Sequence, residues 1–234
     1  VTSDDLRPLT QDDLDWAVEH TRVRRERLAP HAPRFWRPAA DAVERHRAFL
    51  SHLIDDSATL SLRSEHGYLV AMHPGAYLLV DDMVVEPAEH WATEGVALLR
   101  QATALAPVRF VVPAWESERL DAALDLGLEA AEIWWHRDLE PGTGLNVVSE
   151  EHRLSVEGAE AQLVPSPPVY DPGGPVLLVT SLESVDGLRA AEQSAARRGA
   201  RVSVVTQQPS DQPLAELLTA AGYTLTTYFF ATPA

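Results

Sequence analysis

Apolar and polar positions along the chain alternate between two periods, and the switches between them mark the elements. Residues 6–10 read as a short strand that ends at Thr10, a helix cap followed by Asp12 and Asp13. A helix over about 11–28 carries Leu14, Ala17 and Val18 on one side and stops before Pro30 and Pro33. Residues 41–54 form a second helix, with Val43, Phe49, Leu50, Leu53 and Ile54 as its stripe. Three strand-like runs follow, 59–62, 68–72 and 77–85, separated by His66-Gly67 and Pro74-Gly75 turns. A helix over 93–106, a strand over 109–112, a helix over 117–126 stopped by Gly127, and a strand over 128–139 complete the first part. Hairpins come first and crossovers later, which predicts a mixed α+β fold.

Residues 141–175 are rich in proline and glycine and read as a stiff connector. Arg153–Val156 and Glu160–Val164 can pair there as a hairpin around Gly158. Beyond it lie a strand (176–180), a helix (186–198), a strand (201–206), a helix (213–221) and a strand (224–231).

That last β-α-β-α-β series repeats the one over 77–139. Tyr77-Leu78-Leu79-Val80 resembles Val176-Leu177-Leu178-Val179, and both Gly95 to Arg109 and Gly187 to Arg201 span 14 positions. Ile133-Trp134-Trp135 falls where Tyr228-Phe229-Phe230 stands in the second copy. Val80 to Gly95 spans 15 positions, but Val179 to Gly187 only 8. The second copy therefore lacks the loop Val85–Trp91. The expected organisation is a domain over 1–140, the connector over 141–175 and a smaller half-repeat over 176–234.

Composition narrows the chemistry. The chain has 234 residues, 45% of them hydrophobic, and no cysteine. Disulfides, thiolate metal sites and cysteine nucleophiles are excluded. The net charge is −16, and all 19 basic residues are arginine. Non-specific nucleic-acid binding is not expected, and the negative field favours cationic small molecules. No apolar run reaches the roughly 18 residues of a membrane span. The polar start Val1–Asp5 does not read as a signal peptide, which leaves the cytoplasm as the expected compartment. His46 and His52 do not share a helix face, and His66 and His73 flank a strand, so no metal site is expected.

The strand ending Val85-Glu86-Pro87, the loop after it, Gly95 and the helix beyond resemble the GCN5-related N-acetyltransferase (GNAT) superfamily over about residues 6–139, with a half-copy over 176–231. In that superfamily a loop of pattern Arg/Gln-x-x-Gly-x-Gly/Ala starts the helix. Here His90, Thr93 and Gly95 stand at its arginine and glycine positions, and Leu98-Leu99 match an apolar helix pair. Backbone N–H groups at a helix start bind pyrophosphate, and glycine permits close approach. The resemblance thus implies acetyl-CoA at Val84, Val85, His90, Trp91, Ala92, Thr93, Glu94, Gly95 and Val96. It implies a GNAT-like central mixed sheet flanked by helices, and transfer of an acetyl or other acyl group to an amine of a small molecule or protein, by a monomer or homodimer.

The superfamily's tyrosine acid falls on Ala123 and its asparagine on Glu116. Asp81 and Asp82, in the strand bordering the acyl site, are the candidate bases. Phe35 and Trp36, between Arg34 and Arg37, are the candidate wall of an acceptor pocket. Alternative readings are a catalytically degenerate relative that binds acyl-CoA or another ligand without turnover, and an interaction module.

Overall fold

The computed structural model describes residues 6–142 and 152–233. The expected signal-free start at residues 1–5 and part of the expected connector, 143–151, lie outside them. The described chain forms two compact units. The described residues of one fall within 6–30, 43–131 and 227–233, those of the other within 31–42, 132–142 and 152–226.

Unit 1 contains strands β1 (Arg7–Pro8), β2 (Leu60–Arg63), β3 (Gly67–Met72), β4 (Leu78–Val85) and β5 (Val108–Pro113), and the end of β11 (Thr224–Ala231). They are ordered β1-β2-β3-β4-β5-β11, with only β4 and β5 parallel. Its helices are α1 (Leu14–Leu28), α2 (Ala42–Asp55), α3 (Val96–Leu105) and α4 (Ser117–Asp125). Alternation along β3 serves two cores. Leu69 and Ala71 pack with α3 and α4, while Tyr68 and Val70 pack with α1 and α2.

Along β4 the alternation slips by one residue. Leu78, Val80, Met83 and Val85 all lie in the α3–α4 core, whereas Val84 lies in the other. The extra residue is Asp81. Val80 pairs with Ala71 and Asp82 with Val70, so Asp81 forms a β-bulge.

The first strand is shorter than expected because Thr10 closes a capping box on Asp13. The Thr10 N–H and hydroxyl both donate to Asp13 Oδ2, each at 3.0 Å. The third helical segment starts earlier than the expected residue 93. A turn of 3₁₀ helix (Ala88–His90) and a π-turn (Trp91–Gly95) run directly into α3.

Unit 2 contains β6 (Glu129–Asp138) from Glu132 onward, β7 (Arg153–Val156), β8 (Ala159–Val164), β9 (Val176–Leu182), β10 (Val202–Gln207), the start of β11, α5 (Val185–Arg197) and α6 (Gln212–Ala220). Its strands run β6-β10-β9-β8-β7, with β9 and β10 parallel. The expected hairpin is present. Gly158 turns it at φ +82°. A Cβ on Gly187 of α5 would lie 2.5 Å from the Gly158 backbone, so the helix can rest on the turn only with glycine there. Ser184 caps α5 through the Gly187 N–H at 3.1 Å, and Asp211 caps α6 through Leu214 N–H at 3.1 Å.

The two units repeat one plan, and the bulge repeats with it. Val179 pairs with Ala161 and Ser181 with Glu160, so Thr180 takes the place that Asp81 has in unit 1. Strand pairing corrects one detail of the sequence repeat. Val80 pairs with Phe110 and Val179 with Val205, so Arg109 corresponds to Val204 rather than Arg201.

The boundaries differ from 1–140 and 176–234 for a topological reason. The place beside β5 in unit 1 is held by the end of the chain's last strand, and the place beside β10 in unit 2 by β6. A strand belongs to the unit whose ladder satisfies its backbone groups, not to its neighbours in sequence. Among the described residues no helix is long and apolar enough to cross a membrane.

Candidate functional site

The bulge at Asp81 coincides with a fork. Strands β4 and β5 pair at Leu78–Val108, Leu79–Arg109 and Val80–Phe110, and at no later position. Beyond Val80 the two strands part. Asp81 therefore sits at the mouth of a wedge whose walls are β4 and β5. Its side chain reaches solvent although protein surrounds it on most sides, as befits a group in a cleft. That crowding, and then the charge of Asp82, raise its pKa, against the pull of Arg119 and Arg24.

The wedge is filled by an arginine. Arg119, on α4, is 1% exposed. Its Nη1 donates to the Met83 carbonyl on β4 at 2.8 Å. Its guanidinium lies 4.6 Å from the Phe110 ring centroid and 5.5 Å from that of Trp91. Burial lowers its pKa to about 10, so it stays cationic at neutral pH. Glu116, one turn earlier and equally buried, is 3.8 Å from Arg119 and is gripped in bidentate fashion by Arg24 of α1. Burial alone would raise the Glu116 pKa, but Arg24 and Arg119 hold it below the ordinary value. Arg27 adds a bond to Glu86 at 2.8 Å. The base of the fork is thus a closed network of arginines and glutamates.

The loop beyond β4 is partly occupied from within. The His90 N–H donates to the Pro87 carbonyl at 3.2 Å, the Trp91 N–H bonds Ala88 and the Val96 N–H bonds Thr93 and Trp91. Ala92 and Thr93 are exposed, and the Thr93 hydroxyl donates to the His90 carbonyl at 3.3 Å. Trp91 is 1% exposed and packs in the α3–α4 core with Val85 and Val96. A Cβ on Gly95 would stand 2.4 Å from the Trp91 ring, so Gly95 makes room for that indole.

Glu94 is buried and turned back toward the β2–β3 turn. It accepts the His66 N–H at 2.8 Å and bonds His66 Nδ1 at 2.6 Å, and His90 Nδ1 lies 3.5 Å from the same carboxylate. Burial would raise its pKa, but hydrogen bonds from Ser64 and His66 hold it below the ordinary value. The rings of His66 and His90 stack at 3.8 Å.

Asp82 faces the opposite side of the sheet from this loop. His46 Nε2 lies 2.7 Å from Oδ2, and the Tyr68 hydroxyl donates to Oδ1 at 3.0 Å. Tyr68 is in turn bonded to Thr21 at 2.5 Å. Burial pushes the Asp82 pKa up, but the charge and bond of His46 and the bond from Tyr68 prevail and bring it to about 2. Both oxygens are engaged, so of the two candidate bases only Asp81 is free to meet a solute.

Phe35 and Trp36 belong to unit 2. Phe35 is buried against Val176, Val202 and Val204, and the two rings meet edge to face at 4.7 Å. Phe35 also lies 4.7 Å from the His136 ring. The structure therefore gives these aromatics a packing surface on β9 and β10. Trp135 is buried with its Nε1 on Gln207 at 2.6 Å, while Trp134, on the other face of the strand, is half-buried.

Two features escaped the sequence reading. Arg119 stands at i, with Ala122, Ala123 and Leu126 at i+3, i+4 and i+7, so a cation on the apolar stripe of α4 was a visible anomaly. The meeting of His66 with His90 and Glu94 carries no such signal, because their approach depends on where two separate turns fall.

No family model matches the sequence, and no curated protein matches it. Solved structures do. A protein assigned as an acetyltransferase from Thermoplasma acidophilum is 11% identical at a TM-score of 0.58, covering 98% of this chain and 99% of that one. A GCN5-related N-acetyltransferase from Sphaerobacter thermophilus is 12% identical at 0.56, covering 97% and 94%. A tandem GNAT protein from the clavulanic acid biosynthesis pathway is 13% identical at 0.54, covering 98% and 99%. At these identities the likeness is one of fold.

Proposed function

The chain has the tandem GNAT fold, and from that premise we propose that it is a catalytically degenerate member, a ligand-binding protein that does not turn over acyl-CoA. The observation that carries this reading is Arg119. A cofactor arm lying along the parted strands needs the free backbone of β4, and Arg119 already holds the Met83 carbonyl inside that wedge. A pyrophosphate needs free N–H groups at the helix start and no anion beside them. In unit 1 the N–H groups of His90, Trp91 and Val96, three of those over His90–Val96, are engaged, and Glu94 is buried there with its carboxylate on His66. In unit 2 the Ser184 side chain already takes the Gly187 N–H at the start of α5. These contacts support the reading that acyl-CoA is not held at either helix start.

Calorimetric titration of acetyl-CoA into the full chain tests this. The expected result is no saturable heat up to about 1 mM, with no thiol release in the presence of amines. Saturable binding at tens of micromolar, or amine-dependent thiol release, would overturn the reading.

One observation favours the second reading, acyl transfer from acetyl-CoA to an amine. Asp81 lies at the fork, reaches solvent and has a raised pKa, which suits a base for an incoming ammonium group. The net charge of −16 also suits a cationic acceptor. Under that reading Asp81→Asn abolishes amine-dependent thiol release and leaves the fold intact.

A further inference from the structure

We propose that His66, His90 and Glu94 form a binding site for one divalent transition-metal ion of the zinc class. Their candidate ligand atoms all lie within 4.8 Å of one another. The arrangement converges on one carboxylate oxygen. Glu94 Oε2 is held by the His66 N–H at 2.8 Å, while Oε1 faces His66 Nδ1 at 2.6 Å and His90 Nδ1 at 3.5 Å. Two imidazoles and one carboxylate are a zinc-type donor set. Magnesium and calcium prefer oxygen donors throughout. Nickel and cobalt share the donor preference, so the donor set defines a class rather than a single element.

The site combines a fixed point with adjustable partners. Glu94 is buried and anchored by the backbone of His66. The histidine side chains are 31% and 30% exposed, so their rings can rotate. They must do so, because the two planes are now parallel, inclined by 4° and 3.8 Å apart. An ion requires each Nδ1 lone pair to point at it, so binding tilts the rings apart around Oε1. Three protein ligands on a partly exposed site leave a coordination position for water or an anionic ligand. The negative field of the chain favours the cation.

The location explains why the site belongs to unit 1 alone. Glu86 N–H donates to the His66 carbonyl at 2.9 Å, which ties the β2–β3 turn to the end of β4. The loop that follows then carries His90 and Glu94 back over that turn. The second copy lacks this loop, so one ion per chain is expected. The site does not depend on whether acyl-CoA binds.

The test is calorimetric titration of Zn²⁺ alone into chelator-treated, dialysed full chain, with Co²⁺ absorption in the visible region as the spectroscopic readout. One saturable Zn²⁺ per chain is expected, together with a cobalt band that Zn²⁺ abolishes. His90→Gln, at a partly exposed position where the change leaves the fold intact, should weaken binding by about tenfold or more. His66→Gln should do the same, and His73→Gln, on an exposed turn, should change nothing. Absence of saturable binding below about 1 mM would overturn the proposal, as would an affinity that His90→Gln leaves unchanged.

Discussion

Arg119 donates to the carbonyl of Met83 at 2.8 Å, a helix side chain satisfying the backbone of a strand that has parted from its neighbour. An open fork leaves buried backbone groups without partners, and a fold must satisfy them with a ligand, with water or with its own side chains. Here the protein supplies the partner. The cost is a buried cation, offset by Glu116 and by the faces of Phe110 and Trp91.

Arg119→Ala is expected to lower unfolding stability by about 1–3 kcal/mol, because it leaves the buried Met83 carbonyl without its donor while Arg24 still holds Glu116. Urea denaturation at neutral pH measures it. The same variant opens the wedge. If Arg119 is what excludes a cofactor arm, acetyl-CoA binding absent from the parent chain should become detectable in the variant by calorimetry.

Gly95→Ala separates two roles for that glycine. Inside a solvent-facing helix the change would stabilise by up to about 1 kcal/mol. Against the Trp91 ring the new Cβ has no room, and overpacking of this kind costs about 1–3 kcal/mol. A fall in melting temperature is expected. A rise would mean that the indole moves aside readily.

Asp82→Asn should destabilise the chain at pH 7 by about 2 kcal/mol and by progressively less in acid. The folded pKa of about 2 lies below the ordinary value of 3.8, so the carboxylate's contribution is complete above pH 4. It fades as pH falls toward 2. Denaturation of both proteins across that range should show the difference shrinking, and a constant difference would contradict the ion pair with His46.

In unit 2, the Tyr223 hydroxyl donates to Glu192 at 2.8 Å and is bonded to Ser203 Oγ at 2.6 Å. Arg137 and Arg189 hold the other oxygen of Glu192. Tyr223→Phe leaves two buried polar groups short of a partner and should cost about 1–3 kcal/mol. Denaturation of the full chain monitored by tryptophan fluorescence reads it.

Local pattern was enough to place the helices and strands. The Leu78-Leu79-Val80 and Val176–Val179 runs announced the repeat, and Gly158 the hairpin. The bulge was not legible there: Val80 and Met83 share a face because one residue between them is extra, which only the ladder to β3 reveals. Polar residues near the site were harder. Asp81 and Asp82 are adjacent and chemically identical, yet only the ladder to β3 shows that one joins Tyr68 and His46 while the other bulges outward.

What the sequence determined by itself is whatever depends on neighbours a few positions away: period, caps, turns and the missing loop of the second copy. The tertiary structure decided what depends on partners far along the chain. Phe35 packs with Val176, β11 completes the sheet beside β5, Arg119 finds Met83 O, and His66 finds Glu94. Those choices follow from burial and from the need to satisfy each buried polar group, and both are settled only once distant elements share a core.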